Sequence, residues 1–226
     1  MPVETKDPIG NITKIDYDVY HLLPETVTQK QSAGTDLVTI AEYDYRVMQA
    51  KQITDPNGNR TAYRFTPLGL LKSISVMGKE SETLGDEPDT APGTIMEYDF
   101  MAFVNEQQPV WVKTIKREYH THDSDIPDGA DAEATITTIE FTDGFGRLLQ
   151  TRTQGEDVIF GQKEYGDSGL PDDQTKNGIA KGKERSANDP YNVVVSGWQV
   201  YDNKGQVIKQ YEPFFDKGFA YNYNVR

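Results

Sequence analysis

Asp55-Pro-Asn-Gly-Asn-Arg-Thr-Ala-Tyr-Arg-Phe-Thr-Pro-Leu-Gly-Leu-Leu-Lys-Ser-Ile74 is the stretch from which the fold is read. It predicts a turn, a strand, a second turn and a second strand. Pro56 presets φ at the second position of the first turn, Asp55 accepts a local backbone bond, and Gly58 takes the fourth position. Tyr63 and Phe65 alternate with Ala62, Arg64 and Thr66, the period-two pattern of a half-buried strand. Thr66-Pro-Leu-Gly69 repeats the turn chemistry, and Leu70 to Val76 continues as another strand. One such unit cannot bury its own apolar face, so it needs neighbours.

The rest of the chain contains them. Asp7-Pro8-Ile-Gly10-Asn11 matches Asp55-Pro56-Asn-Gly58-Asn59, with Thr13 aligned on Thr61, Ile15 on Tyr63 and Tyr17 on Phe65. Phe65-Thr-Pro-Leu-Gly69 aligns with Tyr201-Asp-Asn-Lys-Gly205, and Leu71 with Val207. Phe141-Thr-Asp-Gly-Phe-Gly146 reads as the same device with one extra residue before its second glycine. Further Tyr-Asp pairs open at Tyr17, Tyr43 and Tyr98. Tyr43 and Phe65 stand 22 residues apart, inside the range where self-similarity signals a repeat architecture. The turn positions that define the repeat are Asp7, Pro8, Gly10, Asp55, Pro56, Gly58, Gly69, Gly146 and Gly205.

Tyr-Asp, an apolar pair, Asp-Pro-x-Gly-Asn-x-Thr and an aromatic together resemble the RHS or YD repeat. Gly197-Trp-Gln-Val-Tyr-Asp-Asn-Lys-Gly-Gln-Val-Ile-Lys-Gln-Tyr-Glu-Pro-Phe-Phe215 is similar to the RHS region of the B component of bacterial insecticidal toxin complexes. Phe141 to Gln150 and Tyr43-Asp-Tyr-Arg46 onward to Arg60 fit the same family, and the resemblance covers residues 7–215. Teneurin-like and contact-dependent toxins share the repeat, and the Trp198 to Phe215 stretch narrows the choice. The resemblance implies an all-β fold: an antiparallel ribbon of hairpins forming part of a spiralling hollow shell. In that family the B and C components together enclose a cytotoxic segment, and B docks onto a pore-forming A component through a propeller. Nothing here resembles the propeller or the aspartyl self-cleavage motif of the C component.

Composition limits the alternatives. The 226 residues carry 23 basic and 36 acidic side chains, a formal charge of −13. That balance disfavours nucleic acid, whose affinity comes largely from Lys and Arg on phosphates. It also disfavours anionic lipid. Cysteine is absent, so neither a disulfide framework nor a thiolate metal site is available. No apolar run reaches membrane-spanning length, and residues 1–8 have no secretory pattern; localisation outside the cell is implied by the resemblance alone. Repeat arrays usually carry polar caps. Here a repeat begins at Asp7 and apolar, aromatic sequence runs to Arg226, so the expectation is a fragment or one piece of a split gene with open sheet edges.

Five segments follow: repeats over 1–77, an acidic surface loop over 78–93, a hairpin with a repeat-like unit over 94–153, a polar insertion over 154–190 and a final repeat over 191–226. Pro109 to Tyr119 predicts a long strand whose simplest partner is Thr135 to Phe141. Glu97-Tyr-Asp-Phe-Met-Ala-Phe-Val-Asn105 is ambiguous between helix and strand.

Sites for chemistry are few. His120 and His122 alternate along an extended segment, which places two imidazoles on one side as a possible ligand pair; the alternative is a solvated connection. Asp128 to Glu133 and Asp55 to Asn59 space oxygens as calcium loops do, without the twelve-residue pattern; turn geometry explains the second. Asp143-Gly-Phe-Gly-Arg147 resembles a phosphate loop, but no helix follows, so a hairpin turn is expected. No serine sits in a Gly-x-Ser-x-Gly elbow. A non-enzymatic chain with no cofactor is therefore expected. The aromatics Tyr17, Tyr43, Tyr63, Phe65, Tyr98, Trp111, Phe141, Trp198, Tyr201 and Tyr211 sit where cross-strand packing favours them. The leading expectation is a shell-wall segment whose partners are the remainder of B, a C-type RHS component and, indirectly, an A component. A free-standing module that binds glycan or a cell-surface protein is the alternative and requires a contiguous aromatic patch. A hydrolase is third.

Overall fold

A computed structural model describes residues 3–31, 34–155, 158–159, 175–176, 179–180, 183–186 and 188–223. Most of the 154–190 insertion lies outside the described residues. The strands are β1 (Glu4–Lys6), β2 (Ile12–Tyr17), β3 (Pro24–Gln29), β4 (Leu37–Asp44), β5 (Gln49–Thr54), β6 (Arg60–Phe65), β7 (Leu71–Met77), β8 (Thr94–Asp99), β9 (Val110–Arg117), β10 (Thr135–Thr142) and β11 (Leu148–Gln154). After them come β12 (Val158–Ile159), β13 (Thr175–Lys176), β14 (Ile179–Ala180), β15 (Lys183–Glu184), β16 (Asn192–Ser196), β17 (Gln199–Tyr201), β18 (Val207–Gln210) and β19 (Phe214–Lys217). Thirteen of these form one sheet in the hydrogen-bonded order β1 to β11, then β16 and β19. β12–β15, β13–β14 and β17–β18 are separate two-stranded pairs. The fold is all-β and antiparallel.

One helix, α1 (Ala102–Glu106), falls in the ambiguous stretch. Tyr98-Asp99 therefore opens no tight turn; β8 and β9 are sheet neighbours joined through the helix. Asp99 Oδ1 accepts the Met101 N–H at 2.8 Å, and the helix ends at Gln107 in the left-handed region.

The turns repeat one geometry. At Asp7, Asp55, Thr66, Asp143 and Asp202 the residue's N–H donates to the carbonyl four residues on, at 2.7–3.0 Å. Its own carbonyl accepts the N–H of the fourth turn residue at 2.9–3.0 Å. That fourth residue is Gly10, Gly58, Gly69, Gly146 or Gly205, with φ between +78° and +98°. A side chain at such φ meets the following carbonyl, so glycine is the residue that closes the turn without strain. At the four aspartates, Oδ1 also accepts the N–H groups two and four residues on, at 2.8–3.0 Å. Pro8 and Pro56 occupy the second position, where the absent N–H is not needed. The extra residue read into Phe141 to Gly146 is not in the turn. Thr142 ends β10, and Asp143 takes the place that Thr66 has in its own turn.

The chain divides into two compact units, residues 1–96 with 116–135 and residues 97–115 with 136–226. In the first, β1–β2, β3–β4 and β5–β6 keep one register throughout. β2–β3, β4–β5 and β6–β7 each shift register, at Asp16/Tyr17, Glu42/Tyr43 and Arg64/Phe65. Antiparallel strands put all turns after even-numbered strands at one end, so all three bulges lie at that end. The extra residues are Glu25, Lys51 and Lys72, each on the strand leaving the turn. A bulge increases local twist; here the twist is added at one end of every second hairpin. Buried apolar side chains are sparse in this unit: Ala62 and Met77 among the described residues, beside buried Ser73 and Ser75.

The second unit has the denser core. Val193, Val195 and Trp198 are buried, with Tyr211, Phe214 and Phe219 packed against them. Arg152 is buried, and each of its three guanidinium nitrogens donates: Nε to Gln150 Oε1, Nη1 to the Gly218 carbonyl and Nη2 to Asp216 Oδ2, each at 2.8 Å. A buried guanidinium is tolerated when it is paired with a carboxylate and further hydrogen-bonded in this way. Bulges recur at Phe141/Thr142 and Val200/Tyr201, each just before a turn aspartate.

If left-handed closure holds the turns, Gly69→Ala lowers the unfolding free energy by about 1–2 kcal/mol. Gly144 has negative φ and open space around its would-be Cβ, so Gly144→Ala changes it by less than about 0.5 kcal/mol. Urea denaturation of the two variants checks this contrast.

Candidate functional site

At the bulged end of the first unit the turns are tied to one another. The Tyr45 hydroxyl donates to Asp18 Oδ2 at 2.8 Å, and the Tyr43 hydroxyl donates to the Pro24 carbonyl at 2.6 Å. Arg46 Nη1 donates to the carbonyls of Thr66 and Pro67 at 2.6 and 3.1 Å. Val47 closes the contact, since a Cβ on Gly69 would stand 3.1 Å from its Cγ1. The Tyr45 phenol is pushed up to about 12, chiefly because it donates to the Asp18 carboxylate. Tyr43-Asp-Tyr-Arg46 thus supplies both the turn and its links to the turns on either side. The second unit uses a similar device: the Arg147 guanidinium lies 4.5 Å over the Tyr201 ring, and the Tyr201 hydroxyl donates to the Leu148 carbonyl at 3.0 Å.

The two histidines do not converge on a common ion. His120 Nδ1 meets Asp86 Oδ1 at 2.9 Å, and His122 Nε2 meets Glu87 Oε1 at 2.8 Å. Gly85 and His122 exchange backbone bonds at 2.8 and 3.3 Å, so the loop beginning at Gly78 is fastened to the segment that follows β9. Asp86 is the buried member: its side chain is 1% exposed and its Oδ2 accepts the Val76 N–H at 2.9 Å. Two close approaches seat it. A Cβ on Gly93 would lie 2.3 Å from Asp86 Oδ2, and a Cβ on Gly85 would lie 2.2 Å from the Val76 carbonyl oxygen. The acidic loop is thus anchored through one buried carboxylate, while Arg64 holds its outer part by an ion pair to Asp89 at 2.8 Å.

Three of the other candidate ligands, Asp131, Glu133 and Asp55, are engaged within the protein. Asp131 Oδ1 accepts the Glu133 N–H at 2.9 Å, and Arg117 clamps Glu133 with two bonds of 3.0 Å. Both oxygens of Asp55 serve its own turn. Among the described residues no group of three or more His, Asp or Glu is arranged to hold a metal ion. The two histidine–carboxylate pairs join residues 86–87 to residues 120–122 and so fasten the two segments together. Asp143 to Arg147 forms a hairpin turn, with Arg147 Nε folded back on Asp143 Oδ2 at 2.6 Å. An open cavity of about 530 Å³ is lined by Tyr43, Tyr45, Tyr63 and Phe65 together with Glu42, Lys51, Gln52 and Arg64.

No protein-family model matches the chain, and no curated protein matches it. Solved structures do. The crystal structure of TcdB2-TccC3 aligns over 96% of this chain at 19% identity with a TM-score of 0.57. That of TcdB2-TccC3-TEV aligns over 98% at 17% identity and 0.62, and the pore of the Photorhabdus luminescens Tc holotoxin over 92% at 18% and 0.59. The fold is similar to that of these Tc toxin chains. The chain spans only 12–13% of the length of the chains it matches. At these identities the likeness concerns the RHS-like fold alone.

The Glu87 carboxyl is held below its ordinary range by the Thr90 hydroxyl first and His122 second. A depressed carboxyl stabilises the folded state above its unfolded value, and that contribution is lost as pH falls through the folded one. The stability of the wild-type chain therefore falls on acidification through the carboxylate range, and Glu87→Gln flattens the slope there. Thermal melts of both chains across that range measure it.

Proposed function

We propose that this chain is a non-enzymatic structural segment of the B component of an insecticidal toxin complex. In this reading it forms part of the wall that encloses and helps deliver a cytotoxic polypeptide. The observation that carries the proposal is the thirteen-stranded sheet, several of whose hairpins close on aspartate turns, in a chain that aligns along nearly its whole length with Tc toxin chains. A wall needs extended sheet and fixed hairpin spacing. The hydrogen bonds of Tyr45 and Arg46 to neighbouring turns, and the stacking of Arg147 over Tyr201, provide the second. It does not need a reaction centre, and the histidine–carboxylate pairs act as fasteners.

The sparse core of the first unit fits the same role. Its sheet leaves Ile40, Tyr45, Met48 and Val76 exposed by 43–45%, which suits a sheet that packs on further polypeptide. The partners are then the remainder of the B component and a C-type RHS component, with a pore-forming A component reached indirectly, and the site of action is outside the producing cell. A second reading, a module that binds glycan or a cell-surface protein, draws on the open cavity of Tyr43, Tyr45, Tyr63 and Phe65.

Co-expression with a C-type RHS component, followed by size-exclusion chromatography with light scattering, separates the readings. A wall segment self-associates or is recovered in a larger particle with that component. A compact monomer that melts in one sharp transition and ignores the C-type component contradicts the proposal and favours the binding module.

A further inference from the structure

We propose that Asp128 is a site of spontaneous isomerisation to isoaspartate, and so a substrate position for a carboxyl methyltransferase of the isoaspartate-repair class. The chain has two Asp-Gly pairs, Asp128-Gly129 and Asp143-Gly144, and the Asn-Gly pairs Asn57-Gly58 and Asn177-Gly178. The last lies outside the described residues. In such pairs the glycine amide nitrogen attacks the side-chain Cγ and forms a five-membered succinimide. Aspartate expels one water in that step, and asparagine expels ammonia. Water then opens the ring at either carbonyl, giving aspartate or isoaspartate, with no oxidant or reductant consumed. The reaction needs a mobile side chain and a glycine nitrogen free to approach it.

The turn geometry withdraws one or the other requirement at two of the three described pairs. Asp143 is held at both oxygens: Oδ1 accepts the N–H groups of Phe145 and Arg147 at 2.9 and 3.0 Å, and Oδ2 accepts Arg147 Nε at 2.6 Å. Burial works to raise its carboxyl, but the bonds from Arg147 and Phe145 outweigh it and hold the group below its ordinary range, so the neutral acid that sheds water is scarce. At Asn57 the nucleophile is taken: the Gly58 N–H donates to the Asp55 carbonyl at 2.9 Å, and the Asn57 N–H donates to Asp55 Oδ1 at 2.8 Å.

Asp128-Gly129 has neither restraint. Both residues are exposed, and no atom beyond the adjoining residues lies within 4 Å of where a Gly129 Cβ would stand. The turn is closed by a single bond, from the Ala130 N–H to the Pro127 carbonyl at 3.0 Å. Among the described residues, no hydrogen bond engages the Asp128 carboxylate or the Gly129 N–H. The folded chain therefore leaves this pair as reactive as an unfolded peptide, while its two counterparts react only through local opening. The product inserts one methylene into the backbone and frees an α-carboxylate, which is the group such a methyltransferase esterifies.

The test ages the intact chain at mildly acidic pH and body temperature, with a parallel sample in denaturant. Peptide mapping by electron-transfer mass spectrometry quantifies isoaspartate at each pair, with residues 177–178 mapped separately. The folded chain is expected to accumulate at least about tenfold more isoaspartate at 128 than at 143, and the two positions converge in denaturant. Methyl transfer from labelled S-adenosylmethionine is expected to track the 128 product and to fall in Asp128→Glu, whose longer side chain forms the ring far more slowly. Equal rates at 128 and 143 in the folded chain overturn the proposal, as does a rate at 128 that rises tenfold on denaturation.

Discussion

An aspartate carboxylate that accepts two backbone N–H groups of its own turn is the constraint on which this structure depends. Each such turn aims one oxygen at two amide donors and closes on a residue in the left-handed region. Without the carboxylate those amides would have no partner but water, and the loop could adopt many conformations. With it, the strands leave the turn in a fixed register, and register decides which face each side chain takes. A short sequence thus places the hairpins at Asp7, Asp18, Asp55, Asp143 and Asp202 independently of any large core. That independence matters most in the first unit, where few apolar side chains are buried.

The alternation of turn types gives the ribbon its asymmetry. In the first unit the Asp-Pro-x-Gly turns at Asp7 and Asp55 join strands in constant register, while the turns at Asp18, Asp44 and Thr66 each follow a bulge. The bulged end also carries the side-chain links between hairpins, through Tyr45 and Arg46. Twist and cohesion are therefore added at the same end. Tyr-Asp is the sequence mark of that arrangement: the aromatic lies at or next to the register shift, and the aspartate holds the turn.

Much of this was legible in the sequence because it is local. Asp55 to Asn59 and Asp143 to Arg147 hold their geometry within five residues, so turn chemistry alone reads them. Strand alternation at Tyr63 and Phe65 is equally local. The pairing of His120 with Asp86 and of His122 with Glu87 joins residues 34 and 35 positions apart, and no nearby residue points to it. Gly85 and Gly93, flanking Asp86, were the one available signal, as glycines that allow close approach. Arg152 with Asp216 is longer still, at 64 positions, and reads from the sequence as an ordinary strand arginine. Tyr98-Asp99 shows the opposite limit. The local signal is present, but Ala102 to Glu106 form a short helix, and the following strand begins only at Val110.

Amide hydrogen exchange of the whole chain, resolved by residue, tests the central role of the turns most directly. If the aspartate turns organise the sheet, the N–H groups of Asp55, Gly58, Asn59, Asp143, Gly146 and Arg147 exchange as slowly as those of the adjoining strands. Exchange of these amides at the rate of an unstructured loop, with the strands still protected, would contradict the account.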